Sequence, residues 1–333
     1  MWLAKCLHSL LLVAVGGLVV STVGAARAQA PPSGPNTFTF IALGDMPYSA
    51  DDVVKVDRLF AAVNKARPAF VLHLGDVKSG SVPCTDEVLR RSFDQIQTIE
   101  PPLVFSIGDN EWTDCHRERA GRFDPRERLA KVREIYFPRP GQSLGKKPMP
   151  LEAQSLVDAK HKAYVENQRF QRNGVVFIVA HVVGSNNGFE ARELKAAEEF
   201  FARNAANVAW IDDGFRIARE TSAKAVVLAF QANLYDIKQK YPEVPRASGY
   251  LDIIRSIERG AKSLGKPVLV VTGDEHEFEL EGFRDTSFKL VPNTLRLQVP
   301  GAERVHAVRV LVDPDDPAVF GIMPLVVPEN GPL

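Results

Sequence analysis

FIALGDMPY (residues 40–48), VLHLGDVKSG (71–80), VFSIGDNEW (104–112) and VVTGDEHEF (270–278) decide how this chain is read. Each is a short apolar run that ends in Gly-Asp: Gly44-Asp45, Gly75-Asp76, Gly108-Asp109 and Gly273-Asp274. Such runs read as strands buried on both faces, and Gly lets the backbone turn sharply as it leaves a sheet. In open α/β sheets, ligands bind in the crevice beyond the carboxyl ends of the strands. One Asp after Gly is ordinary turn chemistry. Four carboxylates delivered to one edge repel one another, and only cations or shared protons make that tolerable. The pattern points to metal binding.

Outward from these runs, strand-like and helix-like segments alternate. Strands are expected at Thr37–Leu43, Phe70–Leu74, Leu103–Ile107, Val175–Ala180, Ala225–Phe230 and Val268–Thr272, and helices near Asp51–Lys65, Glu87–Ile99, Pro125–Tyr136, Glu190–Arg203, Val208–Glu220 and Leu251–Ser263. This alternation predicts an α/β sheet flanked by helices. Ser287–Val299, Val305–Asp313 and Val319–Val327 read as consecutive strands, forming an antiparallel extension or a second sheet. Residues 138–153 read as an inserted loop, a lid or a spacer. The core domain is expected over 37–328.

The 333 residues contain 41 basic and 41 acidic side chains, so no strong overall field points to nucleic acid. The N-terminus reads as a signal peptide over 1–28. Lys5 precedes the apolar run Leu10–Val20, and Ala26-Arg27-Ala28 and Ala28-Gln29-Ala30 are cleavage-type sequences. The competing reading, an uncleaved anchor, meets a run short for a span of about 20 residues. Cleavage after Ala28 places the protein in the periplasm or outside the cell, with a linker over 29–36 and no later membrane span. It removes Lys5 and Arg27, leaving 39 basic against 41 acidic residues, and leaves Cys84 and Cys115 as the remaining cysteines. Two cysteines in an oxidising compartment invite a disulfide.

The order and spacing of these blocks resemble the calcineurin-like metallophosphoesterases. That family carries Asp-x-His, Gly-Asp, Gly-Asn-His-Asp/Glu, a strand-end His and Gly-His-x-His in this order, and the positions here run from Phe40 to Phe278. The resemblance implies a β-sandwich of mixed sheets flanked by helices, with the metal site at strand C-terminal ends. It implies Asp45, Asp76, Asp109, Gln231, Asp274 and His276 as ligands of two ions, with Asn110 and Glu111 as catalytic groups. The departures matter. Pro47, Asn110, Gln231 and Asp274 stand where the family has His, and Asp109 where it has Asn. Carboxylate and amide oxygens favour Mg²⁺, Mn²⁺ or Ca²⁺ over Zn²⁺.

His181, His116 and Lys78 are further candidates as ligands or substrate contacts. The plainer readings of His116 and Lys78 are a solvated helix start and an exposed loop lysine. His73 reads as a core histidine. A Cys84–Cys115 bridge would pin the loops after the second and third blocks. The resemblance implies a metal-dependent phosphoesterase acting on a phosphorylated small molecule. The alternative is a non-catalytic protein binding a metal or a partner on the same fold.

Overall fold

The computed structural model describes residues 34–191, 193–235 and 248–333. The expected signal peptide (1–28) and most of the linker (29–36) lie outside the described residues. Strand β1 (Phe38–Leu43) leads through the first Gly-Asp loop into α1 (Ala50–Ala66), whose N-terminus is capped by the Ser49 hydroxyl accepting from Asp52 N–H. The pattern repeats through β2 (Val71–His73), α2 (Asp86–Ile96), capped by Thr85, then β3 (Leu103–Phe105) and α3 (Pro125–Tyr136). Next come β4 (Glu152–Ala153), the short α4 (Gln154–Val157), β5 (Gln168–Arg172), β6 (Val175–Val179) and a turn, α5 (Gly184–Asn187). The chain then runs through α6 (Leu194–Glu220), β7 (Ala225–Ala229), α7 (Leu251–Leu264), β8 (Val268–Thr272), β9 (Glu279–Arg284), β10 (Leu290–Gln298), β11 (Ala307–Val312) and β12 (Phe320–Leu325).

Among the described residues these strands form two mixed sheets, ordered β12-β11-β1-β2-β3 and β4-β5-β6-β7-β8-β10-β9. Strands β1, β2 and β3 run parallel, as do β6, β7, β8 and β10; antiparallel strands complete the margins. Alternate residues of each strand serve different layers. In β1, Phe40 and Ala42 face the second sheet, while Ile41 and Leu43 face the helices. Between the sheets, Phe40 stacks on Phe70 and meets the edge of Phe177. Helices α1, α2 and α3 cover one outer face through Val56, Leu89 and Val132; α6 and α7 cover the other through Trp210, Phe215 and Ile257. The fold is thus an α/β sandwich of two mixed sheets flanked by helices, and Ser33–Leu333 pack as one compact unit.

Three expectations are corrected. The two helices expected near Glu190–Arg203 and Val208–Glu220 are one helix, α6, which begins at Leu194, because Asn204–Asn207 contains neither Gly nor Pro to stop it. The C-terminal strands do not form one extension or one new sheet: β10 lies parallel to β8, while β11 pairs with β1 in the other sheet. The 138–153 segment is not a free lid. Leu144 exchanges backbone hydrogen bonds with Leu103 on β3 at 2.7 and 2.9 Å, and Lys146 N–H donates to Ile99.

Candidate metal centre

All four Gly-Asp pairs lie at the carboxyl ends of parallel strands, where the two sheets meet. Gly75 turns the backbone as expected, with a left-handed φ of 78°. The left-handed φ also falls on Asp45 (56°), Asp76 (52°) and Asp274 (82°) themselves, a region Asp tolerates better than most residues. Gly108 and Gly273 instead make room. A Cβ on Gly108 would collide with the Asp76 carboxylate, and one on Gly273 with that of Asp45. Each glycine lies beneath an acid delivered by another strand.

Three of the acids converge on one atom. Gln231, at the end of β7, has Nε2 at 3.3 Å from Asp76 Oδ2, 3.1 Å from Asp109 Oδ1 and 3.3 Å from Asp274 Oδ1. The carboxamide oxygen points the other way and accepts from Gly184 N–H at 2.5 Å. Gln231, expected as an oxygen ligand, therefore presents its nitrogen to the acids. Asp45 sits below this group, fully buried, with both carboxylate oxygens 3.1 Å from Asp274 N–H, so it positions Asp274.

Among the described residues no three His, Cys, Asp or Glu side chains close on an open point at coordinating range. The three oxygens around Gln231 stand at hydrogen-bond distance, further out than the roughly 2.0–2.6 Å of Mg–O and Ca–O contacts. In donor chemistry and convergence the residues fit one hard cation. The point itself is held by the amide. His276 does not join this triplet: its Nε2 lies 3.2 Å from the Tyr48 hydroxyl, and the two rings meet edge-on.

Asn110 and Tyr48 complete the site. Asn110 N–H donates to Asp76 Oδ1 (3.0 Å) and Asn110 Nδ2 to Asp76 Oδ2 (2.7 Å) and to the Tyr48 hydroxyl (2.9 Å). Tyr48 in turn donates to Asp76 Oδ2 at 2.8 Å. Sequence reasoning missed Tyr48; its signal was an aromatic hydroxyl three residues after the first Asp. Glu111, expected as a catalytic group, is a brace. It is fully buried, and its carboxylate accepts from the backbone N–H groups of Val77 (2.6 Å), Gly108 (2.8 Å) and Asp76 (3.2 Å), fixing two of the Gly-Asp loops.

The expected Cys84–Cys115 disulfide is present. Its two sulfurs pack 3.6 and 3.7 Å from the Asn110 carbonyl oxygen, so the bridge backs the residue that clamps Asp76.

Burial sets the electrostatics. It pushes Asp45 well above the usual carboxylate range, with Asp274 adding to the effect, and does the same to Asp76, with Asp109 and Glu111 adding. Burial and the facing acids hold the Tyr48 phenol protonated well beyond its ordinary range. Lys78 is not the exposed loop lysine of the plainer reading. It is buried, its ammonium bonds Ser79 O at 3.3 Å, and burial lowers its pKa against the pull of Glu111 and Asp76. Asp114 is pushed up to about 7 by burial and then by Asp109, with Arg117 opposing.

The remaining candidates lie apart. His181 Nδ1 bonds Glu166 at 2.9 Å, behind the cluster, and burial drives this imidazole down to about 4. Glu166 stays at about 2 despite its own burial, because Arg133 holds it ionised. His73 is a core histidine, as expected: it is fully buried and held neutral at about 3. His116 is exposed and bonds Thr113 O. With Arg117 and Phe123 it lines a cavity of about 700 Å³. That cavity reaches the acids through Ser185, whose hydroxyl donates to Asp109 Oδ2 (2.7 Å) and lies 3.2 Å from the Arg117 guanidinium.

No protein-family model matches this sequence, and no curated protein sequence matches it. Solved structures do. The chain is similar to GAP50, the anchor in the inner membrane complex of Plasmodium (12% identity, 87% of this chain and 89% of that one, TM-score 0.46). It is also similar to TT1561 of Thermus thermophilus (8% identity, 86% and 99%, TM-score 0.43). A third likeness is to the purple acid phosphatase PPD1 from yellow lupin seeds (10% identity, TM-score 0.48), with 86% of this chain covering 53% of that one. At these values the likenesses assign neither chemistry nor partner to this chain.

Proposed function

We propose that the protein is an exported phosphoric ester hydrolase of the calcineurin-like kind, whose strand-end acids hold a hard divalent cation. One observation carries the reading: Asp76 Oδ2, Asp109 Oδ1 and Asp274 Oδ1 all lie within 3.3 Å of a single point. Asp76, Asp109 and Asp274 would hold the ion, with Asp45 fixing Asp274 from below. We take this point as the position of one ion. Oxygen donors favour Mg²⁺, Mn²⁺ or Ca²⁺. Such an ion supplies charge neutralisation at a phosphoryl group.

The chain's own groups divide the remaining work. Asn110 Nδ2 is placed to donate to a phosphate oxygen beside Asp76. Tyr48, whose hydroxyl donates to Asp76 and accepts from Asn110, is placed to offer a hydrogen bond to a leaving oxygen. Arg117, half exposed between the acids and the cavity, meets the substrate's negative charge. The cavity beside it takes the rest of a phosphorylated small molecule. The disulfide fits an oxidising compartment and, with the signal-like N-terminus, supports a periplasmic or secreted protein.

A specific observation favours the second reading, a non-catalytic cation- or partner-binding protein. Neutral groups of the chain already donate to the acids: Asn110, Tyr48 and Gln231 to Asp76, and Gln231 and Ser185 to Asp109. Assays of aryl phosphate mono- and diesters with Mg²⁺, Mn²⁺ or Ca²⁺, beside Asp76→Asn, separate the two. Cation-dependent turnover lost in the variant supports the hydrolase. Cation binding without turnover supports the second reading.

A further inference from the structure

We infer that the Gln231 carboxamide occupies the cation position itself, so that cation binding and the Gln231–carboxylate hydrogen bonds exclude one another. The inference rests on the cation reading above, and it reverses the ligand role expected of Gln231.

The geometry leaves the amide little choice. The Gln231 backbone is fixed from both sides: its N–H donates to Val182 O at 3.2 Å and its carbonyl accepts from Gly273 N–H at 2.9 Å. Only the side chain is free to move. Turning the amide over would place its oxygen against three carboxylates and its NH₂ against the Gly184 N–H. Both contacts repel, so the Gly184 bond locks the nitrogen inward. An amide nitrogen carries two protons, yet three carboxylate oxygens surround it. The amide thus serves as a neutral substitute for a cation, incompletely satisfying the acids it holds together.

A ligand and a substitute make opposite predictions on removal. Loss of a ligand weakens cation binding. Loss of the substitute removes a competitor and leaves three acids without their shared donor, so binding tightens. For Gln231→Ala the expected gain in affinity is on the order of tenfold, the size of one lost charge-assisted hydrogen bond.

The test is calorimetric titration of chelator-stripped full chain with Mn²⁺, Mg²⁺ and Ca²⁺ separately, wild type beside Gln231→Ala. Melting is followed with and without each ion. The expected result is tighter binding in the variant, a lower melting temperature than wild type in chelator and a larger cation-dependent rise. Gln231→Asn, whose amide is one methylene too short to reach the acids, should shift the same way and serves if the alanine variant fails to fold. Equal or weaker binding in the variants overturns the inference while leaving the cation reading intact. No binding by wild type or variants overturns both.

Discussion

Asn110 grips Asp76 at both carboxylate oxygens, its backbone N–H on Oδ1 at 3.0 Å and its side-chain amide on Oδ2 at 2.7 Å. The side-chain contact, with those of Tyr48 and Gln231 to the same oxygen, fixes the plane of the carboxylate and so aims Oδ2 at the convergence point. Asn110→Ala removes that amide contact and the amide's bond to the Tyr48 hydroxyl. Urea unfolding of the variant should show a loss of about 1–3 kcal/mol, with turnover falling as well. An unchanged urea midpoint would contradict this placement.

Tyr48 offers a sharper functional test. Its hydroxyl bonds Asp76, Asn110 and His276. Tyr48→Phe keeps the ring and its edge contact with His276 but removes the proton. If the hydroxyl hydrogen-bonds the leaving oxygen in the transition state, kcat should fall by roughly tenfold with KM little changed, the size of one such bond. The deficit should shrink for esters with good leaving groups. A change in KM alone would assign Tyr48 to binding.

The Cys84–Cys115 bridge closes a loop with a sequence separation of 31 residues. Chain-entropy reasoning puts its contribution at about 3–4 kcal/mol. The double variant Cys84→Ser/Cys115→Ser, or reduction of the wild type, should lower the unfolding free energy by about that much. Because both sulfurs back the Asn110 carbonyl, the loss should carry over to cation affinity. Unchanged stability on reduction would show that the bridge constrains nothing.

His181 gives a pH test away from the acids. Its folded pKa is about 4, below the unfolded value of about 6.5. The neutral form is the folded one, so its contribution is complete above about pH 6.5 and is lost as pH falls towards 4. The stability gap between wild type and His181→Asn should therefore narrow over that window, by roughly 3 kcal/mol at its lower end. A gap constant from pH 7.5 to 4.5 would show that the imidazole does not titrate in this way.

Much of this was legible in the sequence, for identifiable reasons. Buried parallel strands announce themselves as apolar runs, and the four Gly-Asp endings marked which end of the sheets carries the chemistry. The cysteines were readable because only Cys84 and Cys115 lie beyond the expected leader. The sequence did not reveal orientation. Gln231 and Glu111 were both expected at the site, but residue type does not say that Gly184 turns the Gln231 amide nitrogen inward, nor that three backbone N–H groups capture the Glu111 carboxylate. Tyr48 was missed because its hydroxyl acquires partners only when the loops after β1, β2, β3 and β8 meet. Strand β5, Gln168–Arg172, was missed because QRFQR is too polar to read as buried, although it pairs with β6 along its whole length.

The central claim is that Asp76, Asp109 and Asp274 surround a cation position. Titration of Mn²⁺ into chelator-stripped wild type and Asp76→Asn at neutral pH tests it most directly, since the substitution keeps shape and removes one charge. Saturable binding near one ion per chain in the wild type, weakened at least about tenfold in the variant, is the predicted result. Equal binding in both proteins, or none in the wild type, would contradict it.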